Sequence, residues 1–288
     1  MADLGSGIVF GLLSMLGYGL ANALYQPLVR QIEIFKTVFF RNLVICAILL
    51  GVLFFRPPAP FSASLLLIAS MVSVLSYIPL LAYCKAVKAG QVGVVAPVSS
   101  SSVLFTVLFS ILFFGESFSG GQLFALLLII LGVLALSFDL KHWRASGPSM
   151  MAGVAPALVA GVLWGAVFFL LKIPVSLFGP ILSALMLEGG VLAASALHWG
   201  WTKAPLSLPP KKLLPSLLFI GLLGALGTLA FNFGVEIAPV SIVAALSFSS
   251  PLVAAIYAKF AYKEKLGAWQ WGALGLVLLG IVLLQFPA

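Results

Sequence analysis

The chain has 288 residues, of which 62% are hydrophobic and 8% charged, with a mean hydropathy of +1.23. Soluble domains carry about 25% charged residues, so this composition excludes a soluble globular protein and makes the bilayer the solvent. A net charge of +8 would suggest nucleic acid in a soluble chain. Here basic loops on one side of a membrane account for it, and no nucleic-acid partner is expected.

Ten apolar runs follow one another, each near the roughly 20 residues that a helix needs to cross a bilayer. In the first half they cover 7–27, 35–55, 65–85, 92–114 and 122–138. In the second they cover 152–171, 181–201, 213–235, 242–261 and 269–286. The breaks carry loop chemistry: Arg56-Pro57-Pro58-Ala59-Pro60, Gly120-Gly121, the polar stretch 139–148 and the Pro209-Pro210 pair. Alternating ten-residue strands of a membrane barrel are not seen. The first run ends in Ala21-Asn22-Ala23, which resembles a signal-peptide cleavage site. The run lacks Lys and Arg, and its Gly17 matches Gly165 of an internal span, so a retained helix is expected.

The second half repeats the first at an offset of 148 positions. Without gaps, Val92 falls on Val240, Ala96 on Ala244, Ser99 on Ser247, Ser101 on Ser249 and Ser102 on Ser250. Further along, Glu116 falls on Glu264, Gln122 on Gln270, Ala125 on Ala273 and Gly132 on Gly280. Polar residues matching in register across two helices argue for duplication more strongly than shared Leu and Val. The expected organisation is a repeat over 1–140, a linker over 141–149 and a second repeat over 150–288. Five spans per repeat is an odd number, so the second repeat must enter the membrane inverted. The fold class is an all-α polytopic membrane protein with ten transmembrane helices in two inverted five-helix repeats.

Basic residues set the orientation. Arg30, Lys36, Arg41, Lys85, Lys88, Lys141, Arg144, Lys203, Lys211, Lys212, Lys259, Lys263 and Lys265 lie around the odd-numbered loops. Only Arg56 and Lys172 lie around the even-numbered ones. Thirteen against two places the odd loops in the cytoplasm and both termini outside. Gly7 and Gly11, then Gly161 and Gly165, have the spacing that lets helices approach closely, and Gly221, Gly224 and Gly227 make a small face on the eighth span. The same glycines could act as hinges.

Glu188 is the sharpest functional candidate. It stands mid-span in Leu185-Met186-Leu187-Glu188-Gly189-Gly190, where a charge costs on the order of 3 kcal/mol on insertion scales. It could take up a coupling proton or bind a substrate amine; the bland reading is an acid that locks two helices together. Tyr18, Asn22 and Gln26 are spaced by four and share a face of the first span, with Trp164 and Phe168 at the corresponding place in the sixth. These could line a cavity by stacking and cation-π contact, or sit at the headgroup belt, where Tyr25 and Trp199 are expected. Ser99 with Ser102, and Ser247 with Ser250, are three apart and share helix faces. They could bond a substrate or serve as small polar contacts between helices. Tyr77 and Asn232 are further candidates. Glu116 and Glu264 read as helix-end devices, a carboxylate satisfying the free N–H groups at the start of the next helix. Arg41 could snorkel to the cytoplasmic surface or meet an anionic group at a cavity mouth.

Cys46 and Cys84 lack metal-ligand spacing and read as small buried apolar residues. His142 and His198 fall in or near loops without a cluster. No Walker, zinc-ligand, dinucleotide or nucleophile-elbow pattern occurs in a usable context. No catalytic residue, metal, cofactor or enzymatic activity is expected.

With the repeat and its glutamates in view, the chain resembles the drug/metabolite transporter superfamily, specifically its ten-helix EamA-type members. The resemblance rests on Ala238-Pro239-Val240, Pro251, Lys263-Glu264-Lys265-Leu266, Gln270 and Gly280-Ile281-Val282. The first half supplies Ala96-Pro97-Val98, Gly115-Glu116, Gln122 and Gly132-Val133, and departs with Val103 where the second half has Pro251. The resemblance implies a basket of spans 1–4 and 6–9 around a central cavity, spans 5 and 10 packed at the side, and alternating access. It also implies export or proton-linked transport in a bacterial inner membrane. The expected activity is secondary transport of a small, amino-acid-like, zwitterionic or cationic metabolite, by a monomer or homodimer in the lipid bilayer, with protons as the coupling ion. An uncoupled facilitator or channel, and a lipid-handling protein, are the rival readings.

Overall fold

The computed structural model describes residues 4–55, 63–89, 98–137, 153–202, 204–205, 207–261 and 267–284. Nearly all of these are helical, because hydrocarbon offers no water to backbone N–H and C=O groups and a helix satisfies them within one segment. In the first half the helices are α1 (Leu4–Gln31), α2 (Ile34–Phe55), α3 (Ala63–Leu75), α4 (Tyr77–Ala89), α5 (Ser102–Phe114) and α6 (Gly120–Ser137). In the second they are α7 (Val154–Leu170), α8 (Lys172–Thr202), α9 (Leu214–Ile237), α10 (Val240–Ser247), α11 (Ser250–Ala261) and α12 (Ala268–Leu283). Helices α3 and α4 make the third span and α10 and α11 the ninth, so these pieces trace the ten expected spans. Among the described residues, five helices are long and apolar enough to cross a membrane and five shorter apolar ones complete the set.

The breaks within spans have identifiable causes. At Ser249 the ladder tightens: its N–H reaches Leu246 O at 3.0 Å and Leu252 N reaches Ser249 O at 2.9 Å. The Ser249 hydroxyl bonds back to Ala245 O at 2.8 Å, and Pro251 supplies no N–H. The same turn recurs at Ser101, with Ser101 N to Val98 O at 3.3 Å and Leu104 N to Ser101 O at 2.9 Å. There the serine hydroxyl bonds Val98 O at 2.6 Å. Both halves therefore bend at the matching place although Val103 replaces Pro251, so the back-bonding serine is the shared cause. The seventh span begins where expected. Residues 172–178 form a short helix of their own, the backbone leaves the helical region at Gly179 (φ 75, ψ 169), and the span proper starts at Pro180. Pro180 disfavours a helical conformation for the residue before it, and the positive φ at that residue favours glycine.

The two halves interlock. Helix α1 packs on α9, α10 and α11, while its counterpart α7 packs on α4 and α5. Helix α2 packs on α8 and α9, and α8 on α2 and α3; α5 meets α10 and α6 meets α12. Exchanging the halves leaves this pattern unchanged, as a pseudo-two-fold axis between inverted repeats requires. The α6–α12 pair shows it atom by atom. A Cβ at Gly132 would lie 2.6 Å from Val277 and 2.9 Å from Ala273 O, and one at Gly280 would lie 2.7 Å from Ile129 and 2.8 Å from Ala125 O. Each set becomes the other when first-half numbers are raised and second-half numbers lowered by 148. The expected glycine faces also serve close approach: Gly7 meets Ala238, Gly165 meets Phe105, and Gly17 meets the backbone of Gly227.

One apolar core joins α1, α5, α6, α10, α11 and α12 around Leu126, Ile129, Leu246 and Val277; another joins α1, α2, α4, α8 and α9 around Leu28, Val38, Val191 and Ile220. Large side chains such as Leu112, Phe113, Leu131, Leu218 and Leu222 face outward, as a lipid-bathed surface requires.

Candidate functional site

An apolar bundle tolerates a carboxylate only where donors surround it, so the partners of Glu188 define the site. Glu188 is 5% exposed and stands in α8 between α2 and α9. Its Oε2 accepts the Asn42 side-chain N–H at 2.7 Å, and the same nitrogen lies 3.2 Å from the Glu188 backbone oxygen. Its Oε1 accepts the Thr228 hydroxyl at 2.5 Å. Thr228 in turn shares a bond of 3.0 Å with the Tyr18 hydroxyl. Arg41 Nη1 donates to Asn42 Oδ1 at 3.1 Å.

Donor accounting assigns the polarity of this network. Arginine has no acceptor, so the Asn42 oxygen faces Arg41 and its nitrogen faces Glu188. With Glu188 ionised, Thr228 spends its one proton on it and Tyr18 donates in the Tyr18–Thr228 bond. Tyr18 and Asn42 come from the first half, Glu188 and Thr228 from the second. The network therefore crosses the seam between the repeats.

Space for it is made by small residues. A Cβ at Gly227 would lie 2.7 Å from the Tyr18 ring, and one at Gly224 would lie 3.1 Å from Arg41 Nη2. The small face expected on the eighth span is thus what admits the polar side chains of the opposite half. One turn beyond Thr228, Asn232 is fully buried and donates to Pro180 O at 3.1 Å, tying α9 to the kink of α8. Its Oδ1 has no partner among the described residues. On the other side of Tyr18 stands an aromatic group. Phe168 meets Tyr18 edge-on at 6.3 Å and packs against Phe231 and Phe248, each at 4.8 Å. Phe248 occupies the break between α10 and α11.

The remaining expected residues are distributed more widely. Trp164 packs against Tyr83, the rings tilted and 5.2 Å apart, rather than against Tyr18. Asn22 is exposed. The helix includes Tyr25 and Gln26, whose side chains lie outside the described residues. Tyr77 bonds His198 Nδ1 at 2.7 Å, ten residues along α8 from Glu188 and so roughly 15 Å away. His198 lies in α8 one turn from its end, near a loop as expected, with Tyr77 and Phe35 as neighbours. Trp199 is 5% exposed, not at a lipid belt, because Phe35, Phe39 and Phe40 enclose it. Ser99, Ser102, Ser247 and Ser250 are all buried. Backbone oxygens of Ser102 and Ser250 lie 3.0 and 2.7 Å from where Cβ atoms would stand on Gly165 and Gly19, so both serine turns sit at close helix contacts. The hydroxyls of Ser102 and Ser247 have no partner among the described residues.

Glu116 has the helix-end role expected, but for a different helix. Its Oε1 accepts Val240 N at 2.7 Å, and its Oε2 accepts Ser241 N at 3.1 Å and the Ser241 hydroxyl at 2.5 Å. It therefore caps α10 of the other half rather than α6, which follows it in sequence. Nearby, Lys172 bonds Val235 O at 2.5 Å and lines a cavity of about 400 Å³ with Gly179 and Glu236. Glu264, His142, Arg56, the linker 141–149 and Lys141, Arg144, Lys203, Lys263 and Lys265 lie outside the described residues. Cys46 and Cys84 are buried and in no disulfide among the described residues, and no cluster that could hold a metal occurs among the described residues.

The chain is a polytopic membrane protein of two interlocked repeats with a buried glutamate on their seam. The chain belongs to the EamA-like transporter family, whose model matches residues 5–138 and 151–286. A crystal structure described only as that of a protein is similar over 98% of this chain and 96% of its own, with a TM-score of 0.78 and 16% identity. At that identity the likeness concerns the fold. No curated protein matches the chain in sequence.

Tyr18, Phe168, Glu188 and Asn232, named from the sequence, come together here with Asn42 and Thr228, which were not. Asn42 carried a faint signal, an amide next to an arginine within an apolar span. Thr228 carried another, standing one turn from Asn232 on the glycine face.

Proposed function

We propose that the protein is a secondary active transporter that moves a small amino-acid-like, zwitterionic or cationic metabolite by alternating access. One observation carries this reading: Glu188 is buried, and its donors come from both halves. A substrate ammonium or a proton arriving at that carboxylate competes with the bonds that join the repeats. Occupancy is thereby linked to how the halves sit against each other, and a ligand shifts such an equilibrium through its differential contacts. Tyr18 and Phe168 form the stacking wall, extended one turn on by Trp164. The free Oδ1 of Asn232 and the hydroxyls of Ser102 and Ser247 supply hydrogen bonds to polar groups of the substrate. Asn22 stands one turn from Tyr18, toward the end of α1 that the basic residues assign to the cytoplasm. Tyr77, Ser99 and Ser250 complete the lining at its edges. In this reading protons couple transport through Glu188, the odd loops are cytoplasmic, both termini are outside, and the protein exports its substrate across a bacterial inner membrane.

The test is a thermal-shift screen of the purified protein across metabolites, followed by uptake into proteoliposomes with and without a pH gradient. Saturable uptake that a gradient accelerates is the expected result. Saturable uptake indifferent to every ion gradient would sink proton coupling and leave a facilitator.

A further inference from the structure

We propose that Glu116 is the latch of a gate on the face of the even-numbered loops. Its carboxylate ties the arms of the fourth and ninth spans together, and that face opens when the tie is released. The purpose of the gate rests on the transporter reading above, while the latch is read from the geometry. The fourth and ninth spans are each broken at a serine turn, at Ser101 and at Ser249. The breaks leave α5 (Ser102–Phe114) and α10 (Val240–Ser247) as the two arms on that side, roughly 20 and 12 Å long at 1.5 Å per residue. The arms pack against each other. Glu116 stands two residues beyond the end of α5, where it meets the first turn of α10.

A helix start exposes N–H groups that have no partner within the helix. A Ser, Thr, Asp or Asn at the N-cap would satisfy one of them from the same chain segment. The N-cap of α10 is Pro239, and no side chain of its own caps the helix. The donors are left to the opposite half: Val240 N and Ser241 N reach Glu116 at 2.7 and 3.1 Å, and the Ser241 hydroxyl donates to the same carboxylate. Gly115 aims that carboxylate. Its backbone is left-handed (φ 64, ψ 28) with its N–H on Ser110 O, so the chain turns back at the end of α5. Three bonds to one charged acceptor form and break together as the arms close and part. While they hold, neither arm can swing at its serine turn.

The test needs no substrate. Ser247 is 2% exposed and lies about 9 Å along α10 from Ser241, so fraying of the first turn alone leaves it covered. The full chain is purified in detergent with Ser247→Cys as the reporter and Cys46→Ala to remove one native thiol. Cys84, buried in the third span, is kept as the internal control, and a bulky charged maleimide measures access to each thiol. Glu116→Gln should speed labelling at position 247 about tenfold or more, as the loss of a hydrogen bond to a charged group shifts a closed–open equilibrium. Ser241→Ala removes one donor of three, should give a smaller increase, and decides the matter should Glu116→Gln fail to fold. Cys84 should keep its rate in both. Unchanged labelling at position 247 would reduce Glu116 to a helix cap and overturn the inference. Equal acceleration at Cys84 would do the same, since it marks a loosened fold rather than an opened gate. Either result leaves the transporter reading standing, whereas a working latch in a protein that takes up no metabolite would count against that reading alone.

Discussion

Thr228→Val isolates one link of the seam network. Thr228 is fully buried, and valine replaces its hydroxyl with a methyl group of similar size, so no cavity opens. The change leaves Glu188 Oε1 without its donor and the Tyr18 hydroxyl without its acceptor. Hydrogen bonds to charged groups contribute about 1.5–3 kcal/mol in soluble proteins. Interhelical polar contacts in a membrane protein average about 0.6 and reach about 1.7 kcal/mol, because the unfolded segments find other partners in the bilayer. A buried carboxylate puts this contact at the top of the second range. We therefore expect Thr228→Val to cost about 2 kcal/mol alone and less than about 0.5 kcal/mol when Glu188→Met has already removed the carboxylate. The assay is a double-mutant cycle of unfolding in sodium dodecyl sulfate, followed by tryptophan fluorescence. An equal cost of Thr228→Val in both backgrounds would refute the network as drawn.

Other positions give independent checks in the same assay. Glu116→Gln removes the charge that caps α10 and keeps only one acceptor oxygen, so it should cost about 1–2 kcal/mol; a neutral result would mean that solvent can replace the cap. Gly280→Val and Gly132→Val should each cost about 1–3 kcal/mol by overpacking, and by similar amounts, since the two glycines occupy equivalent places. Gly272→Ala and Gly275→Ala, where a Cβ would meet open space, should not destabilise; unequal costs at 132 and 280 would break the symmetry argument.

Much of the scaffold was legible because membrane burial writes itself into composition. The spans follow from runs of apolar residues, and the repeat from polar residues recurring in register. Other features depend on contacts that local pattern does not encode. Asn42 meets Glu188 across 146 residues and Thr228 meets it across 40, and neither pairing has a periodic signature. Glu116 read correctly as a helix-end carboxylate, yet the helix nearest in space belongs to the other half. Spacing by four placed Tyr18 and Asn22 on one face but said nothing about depth, and Asn22 is exposed while Tyr18 reaches Thr228. Trp199 looked like a headgroup residue near a span end, whereas three phenylalanines of α2 bury it. The bend of the fourth span was hidden because proline is the obvious breaker and Ser101 acts in its place.

Glu188 separates a transporter working through the seam from one that works elsewhere. The decisive measurement is uptake of a thermal-shift ligand into proteoliposomes holding matched amounts of wild type and Glu188→Gln, with and without an imposed pH gradient. The account predicts saturable uptake by wild type, stimulated by the gradient, and uptake by Glu188→Gln no greater than into protein-free liposomes. Full, gradient-stimulated uptake by Glu188→Gln would contradict it.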